Sequence, residues 1–142
     1  MFLGKFVHTL DSKGRLTIPA KFRADLEEGL VVTRGMDDCL FAFPMARWEQ
    51  LAAQISDLPI TDGRARSLKR FLFANASDLS PDKQGRVLIP PRLREFAGLD
   101  GEVLVAGLND YFEIWSPEAW HEVRGQGDGD GSDLEGWAAL GI

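Results

Sequence analysis

The stretches DSKGRLTIP (11–19) and DKQGRVLIP (82–90) lie 71 residues apart, and each sets an aspartate three residues before a glycine and four before an arginine. Those residue types have a definite local chemistry. Aspartate favours the first position of a type I turn, and glycine the fourth, where a left-handed residue makes the bulge of a hairpin. Asp11 and Asp82 therefore satisfy backbone donors in their turns, with Gly14 and Gly85 closing them, and each carboxylate can orient the arginine four residues on. An arginine held in advance by a carboxylate is preorganised, so less freedom is lost when it engages a ligand. Its guanidinium can grip phosphate, or bond guanine at two points in a major groove that admits a two-stranded ribbon.

Lysines and further arginines surround the two turns. Residues 1–24 carry five Lys/Arg (Lys5, Lys13, Arg15, Lys21 and Arg23) against one acid. Residues 81–94 carry four (Lys83, Arg86, Arg92 and Arg94) against one. Residues 95–142 carry only Arg124 against eleven acids, and the net charge is −6. The turns are basic islands in an acidic chain, and local sign governs the approach of an anionic polymer. A lone pair of such charges would read as a solvated surface with hairpin salt bridges. The same pattern on the same turn twice reads as a site for an anionic partner.

The elements that must position these groups repeat as well. The segment 20–43 resembles 91–115, with Gly35 matching Gly107, Asp38 matching Asp110 and Phe43 matching Trp115. Trp48 matches Trp120 at an offset of 72. Two copies are too few for a solenoid. They suit a pseudo-twofold pair that shares one core. Each copy reads as a strand (Phe6–Leu10, with Leu79 the weaker counterpart), the turn, and a second strand (Arg15–Ile18 or Arg86–Ile89). A short helix then opens at the proline, and in the second copy it stops at Gly98. Two more strands follow, Leu30–Thr33 with Cys39–Phe43 and Val103–Ala106 with Tyr111–Trp115. Helical spacing covers Pro44–Ile55 and Arg64–Phe73, and Ser116-Pro117 opens a helix through Val123. Arg64, Arg66, Lys69 and Arg70 form the wet side of the second of these helices.

Other chemistries find little footing. The two histidines, His8 and His121, and the single Cys39 do not make a structural zinc site. The serines lack a nucleophile context, and no glycine-rich phosphate loop precedes a helix. The tail 125–133 is acidic and glycine-rich but fails as a calcium loop: with Gly131 at the required glycine, Gln126 and Trp137 occupy ligand positions. It reads as a flexible linker, after which Leu134, Trp137 and Leu140 could dock weakly. No cofactor is expected. One cysteine and no long apolar run point to a cytoplasmic protein, neither disulfide-bonded nor membrane-spanning, and the start shows no signal peptide.

The stretches MFLGKFVHTLDSKGRLTIPAKFR, RFLFANASDLSPDKQGRVLIPPRLREFAGLDGEV and NDYFEIWSPEAW together resemble the MraZ family of bacterial transcription regulators, built from two SpoVT-AbrB-type domains. The resemblance runs to about residue 124 and leaves the tail outside it. It implies an α+β, mainly β fold of two tandem swapped-hairpin units forming a pseudo-twofold barrel with flanking helices. The corresponding division is 1–56, a first repeat; 57–76, a connecting helical segment; 77–124, a second repeat; and 125–142, the tail. It implies double-stranded DNA as partner, bound through Arg15 and Arg86 above all, with Lys13, Lys83, Lys5, Lys21 and Arg23 nearby. It further implies a ring-shaped homo-oligomer that reads short direct repeats upstream of the cell division and cell wall gene cluster, in the cytoplasm and at the nucleoid.

Two other classes remain open at this stage. An antitoxin-like module could use the basic turns to meet an acidic protein. An enzyme acting on a nucleotide has less support, because no acid–base pair can be named.

Overall fold

The computed structural model describes residues 1–125 and 134–141. In chain order the elements are β1 (Phe2–Thr9), β2 (Arg15–Thr17), a 3₁₀ helix (Ala20–Leu26), β3 (Leu30–Arg34), β4 (Leu40–Pro44), α1 (Met45–Ser56) and α2 (Gly63–Phe73). The second half gives β5 (Ser77–Leu79), β6 (Arg86–Leu88), α3 (Pro91–Ala97), β7 (Glu102–Asn109), β8 (Phe112–Trp115), α4 (Pro117–Gly125) and α5 (Leu134–Ala138).

The strands form a six-stranded antiparallel sheet in the order β1-β7-β8-β4-β3-β5, and a separate antiparallel ribbon of β2 with β6. Partners cross between the copies. β1 pairs with β7 over eight residue pairs, and β5 pairs with β3 over three. Within the first copy β1 and β2 form no ladder, and an isolated bridge joins Leu10, just after β1, to Leu16. The register carries the pseudo-twofold. Leu16 faces Val87 at the centre of the ribbon, and Phe41 faces Glu113 at the centre of the β4–β8 ladder.

The expected barrel is not closed: β1 and β5 are the two free edges of an open sheet. The two repeats also differ at Pro81, which stands in the second where Leu10 stands in the first. Leu10 donates its N–H to Gly101 O at 2.8 Å and bridges Leu16. Proline has no N–H to give, so the second repeat lacks this bond; β5 is shorter than β1 chiefly at its start, because α2 runs to Phe73, the counterpart of Phe2.

The two copies differ in their helices too. Pro90 and Pro91 open a true α-helix that Gly98 ends in the left-handed conformation, at φ 63°. After Pro19 the same place holds a 3₁₀ helix with no such stop. The turns joining the later strands are also unequal. Gly35 N–H bonds Cys39 O, whereas Leu108 N–H bonds Tyr111 O one residue sooner. Gly35 is therefore the positional counterpart of Leu108, and not of Gly107 as the sequence match has it. Gly107 has its own reason: a Cβ there would lie 2.6 Å from the Phe2 backbone.

The core draws on both copies. Leu16, Ile18, Val87 and Ile89 turn inward from the ribbon onto Phe22, Leu26, Leu93 and the inner face of the sheet, all buried. Phe2, Phe22 and Phe112 pack with ring centroids 5.0–5.3 Å apart. Truncating a core leucine or isoleucine of this kind to alanine costs about 2–5 kcal/mol. On the other side α1 and α2 close over β3 and β4, with Trp48 against Phe43 and Phe73. Thr33, buried in β3, donates to Leu72 O at 2.7 Å and ties α2 down. The cations of α2 are partly engaged in holding its lead-in loop: Arg64 pairs with Asp62, and Arg66 and Lys69 donate to Ile60 O and Leu58 O. Residues 126–133 of the expected flexible tail lie outside the described residues. Beyond them Leu134 and Trp137 of α5, and Leu140 after it, are exposed. Among the described residues no helix is long and apolar enough to cross a membrane.

Candidate nucleic-acid interface

Each turn is built around its aspartate. One oxygen of Asp11 accepts the backbone N–H groups of Lys13 and Arg15, both at 2.9 Å, and the other accepts Arg15 Nε at 2.6 Å. Asp82 repeats the set with Gln84 N, Arg86 N and Arg86 Nε, all at 2.9 Å. Gly14 and Gly85 close the turns onto Asp11 O and Asp82 O with φ of 86° and 76°. The hydrogen bonds hold the charged form of each carboxylate, and the N–H of the following arginine is the largest influence. Asp11 is thereby lowered to about 2, and Asp82 is lowered for the same reason.

The ribbon brings the two turns into one arrangement. Directly opposite residues of an antiparallel pair share a face, and successive residues alternate faces. Arg15 lies opposite Leu88, Leu16 opposite Val87, and Thr17 opposite Arg86. Leu16 and Val87 are buried, so Arg15, Thr17, Arg86 and Leu88 form the outward face. Arg15 and Arg86 are diagonal neighbours on it, about 7–8 Å apart at the backbone. Their side chains are 32% and 28% exposed. Both are held by Nε alone among the described residues, so the terminal nitrogens carry no recorded protein acceptor.

The ribbon extends one pair beyond β2 and β6 at each end. Ile89 N–H bonds Gly14 O at 3.0 Å, and Ile18 N–H bonds Gly85 O at 2.8 Å. The turns therefore lie at opposite ends of the ribbon, about 14 Å apart by strand rise. Lys13 and Lys83 stand exposed on them, and Lys21 is exposed on the 3₁₀ helix. Arg23 donates from Nε to Ile18 O at 3.0 Å and packs against Gly85. Lys5 stands apart, halfway along β1 and 5.8 Å from the centroid of the Trp120 ring.

Arg94, which sequence reading counted only among the basic residues near the second turn, is placed on the first. It repeats the Arg23 contacts on the other turn, donating from Nε to Ile89 O at 3.0 Å and packing against Gly14. The signal for it was present, since Arg23 and Arg94 occupy the same place in the repeat. Among the described residues no three or more His, Cys, Asp or Glu side chains gather to hold a metal ion.

The family model described as "MraZ protein, putative antitoxin-like" matches this chain twice, over residues 1–71 and 72–127. The chain belongs to the MraZ family. It is similar to the protein named transcriptional regulator MraZ of Roseiflexus castenholzii, with 54% identity over 93% of this chain and 92% of that one. It is 55% identical to the protein of the same name in Herpetosiphon aurantiacus, over 87% of this chain and 86% of the relative. The Lactiplantibacillus plantarum protein, again a transcriptional regulator MraZ by name, is 50% identical over 87% and 88%. These are names of transcriptional regulators, and none of them names an enzyme.

Proposed function

We propose that this MraZ-family chain is a sequence-specific DNA-binding transcriptional regulator, and that the β2–β6 ribbon is its reading head. The observation that carries the proposal is the placement of Arg15 and Arg86 on one outward ribbon face, each preset by its own aspartate. A two-stranded ribbon fits a major groove about 12 Å wide. Laid across it, the ribbon would bring Lys13 and Lys83 to the phosphates of the two walls, with Arg15 and Arg86 over the base edges between them. The target proposed from the family resemblance is a set of short direct repeats upstream of the chain's own operon in the cell division and cell wall cluster, read by a ring-shaped homo-oligomer in the cytoplasm and at the nucleoid. The same reading takes the exchanged strands as swapped hairpins, and divides the chain into repeats at 1–56 and 77–124, a connecting segment and a tail. A ring would turn several weak contacts into avidity without any new contact.

The test is fluorescence anisotropy with the chain's own upstream DNA, titrated across salt and against scrambled DNA. Tight binding that falls steeply with salt and is lost on scrambling is expected, because counterion release scales with the phosphates neutralised. Arg15→Ala and Arg86→Ala should each weaken operator binding by about 1–3 kcal/mol, the worth of a two-point base contact. Unchanged affinity in the double variant would sink the site assignment. Absence of binding to either DNA by folded protein would move the basic turns to an acidic protein partner.

A further inference from the structure

We infer that Arg23 and Arg94 are positioning residues, each locking the reading turn of the opposite repeat. The inference rests on the DNA-reading role of the ribbon but concerns how its turns are held. At one end of the ribbon Ile89 gives its N–H to Gly14 O, and its own carbonyl accepts Arg94 Nε. The Arg94 guanidinium lies so close over Gly14 that a Cβ there would sit 2.7 Å from Nε. At the other end Ile18 gives its N–H to Gly85 O, its carbonyl accepts Arg23 Nε, and Arg23 lies over Gly85, where a Cβ would sit 2.9 Å from Cδ. Two independent instances of one arrangement, related by the pseudo-twofold, make an accidental surface pose a poor account.

The lock gives the turn glycines a second reason beyond their positive φ. A side chain on either would have to displace a guanidinium that its Nε bond anchors. It also gives these arginines a reason to be arginine. A planar guanidinium can lie flat on the turn peptide while its Nε bonds a carbonyl to one side, whereas lysine carries its charge as a point with no plane. The consequence is a crosswise dependence. The Asp11–Arg15 turn is held by α3, which belongs to the second repeat. The Asp82–Arg86 turn is held by the 3₁₀ helix of the first. Each reading arginine is thus set by its own aspartate and steadied by the other repeat.

Backbone amide exchange on the full chain without DNA reads this directly. Arg94→Ala should speed exchange in the segment 13–15 by about 2- to 12-fold, the equivalent of one lost hydrogen bond, and leave 84–86 as in the wild type. Arg23→Ala should do the reverse. Loss of protection in the variant's own repeat, or unchanged exchange at both turns, overturns the lock. Arg94→Lys keeps the charge and the helix, so it remains informative should the alanine variant fold poorly. It should speed exchange at 13–15 as the alanine variant does, and wild-type protection in it would overturn the guanidinium-specific account. Operator affinity measured on the same variants separates the two proposals. Crosswise exchange in a protein whose wild type binds no DNA would uphold the lock and remove the DNA-reading role.

Discussion

At the scale of single residues, the Asp11 carboxylate shows how little is needed to set the Arg15 guanidinium. Three donors from Lys13 and Arg15 converge on it, and all of them favour its charged form. Its folded pKa, about 2, lies below the ordinary 3.8. The stabilisation it brings is therefore present above the ordinary value and lost as pH falls towards 2. Asparagine keeps one acceptor oxygen but no charge. Asp11→Asn should accordingly melt at a lower temperature than the wild type at neutral pH, and the gap should close as pH falls from about 4 towards 2. Melts that stay equally separated across that range would show that the charge is not what holds the turn. The glycine three residues on is as constrained. Gly14→Val would place a β-branched residue at φ 86° under the Arg94 guanidinium, so a wild-type melting curve from that variant would refute the turn geometry.

At the scale of elements, β8 holds the least expected group. Phe112, Glu113, Ile114 and Trp115 are all buried, because the strand is central in the sheet and covered on both faces. Glu113 accepts Trp115 Nε1 at 3.0 Å and the Cys39 thiol at 3.6 Å, and burial raises its pKa all the same. A carboxyl with a raised folded pKa contributes most while protonated, and its contribution is lost as pH rises. Glu113→Gln keeps the neutral form at every pH. Its melting temperature relative to wild type should be higher at pH 8 than at pH 4, and a difference that does not grow with pH would contradict the burial account. Sequence reading had no means of finding this group. The strand's apolar neighbours were legible, but Glu113 stands where the first repeat has Phe41, and only the ladder puts those two face to face. The strands, the Asp-x-x-Gly turns, α1, α2 and the Gly98 stop were legible because local chemistry dictates them. The exchange of partners was not read from them. A local pattern says that a strand exists and is silent on which repeat supplies its neighbour. The bond missing at Pro81 was not legible either, because the lost donor matters only once Leu10 is seen to bond Gly101.

At the scale of the whole molecule, the pseudo-twofold and the charge distribution act together. The symmetry gathers the basic turns onto one ribbon, while net charge stays at −6. On the proposed function, an anionic protein that binds an anionic polymer gains from steering by the local positive charge of the ribbon turns. Residues 126–142 carry four carboxylates and no cation, so removing them takes the net charge from −6 to −2. If those carboxylates act as a general repulsive field, the truncated chain should associate faster at low salt with operator and scrambled DNA alike. The ratio of the two affinities should then fall little, because the ribbon proposed to discriminate between them is untouched. At about 1 M salt the Debye length is about 3 Å, and the gain in rate should vanish. A gain that persists at that salt would mean that the segment obstructs the ribbon by contact. No gain at low salt would mean that the field over the ribbon is set by Lys13, Lys83 and the arginines alone.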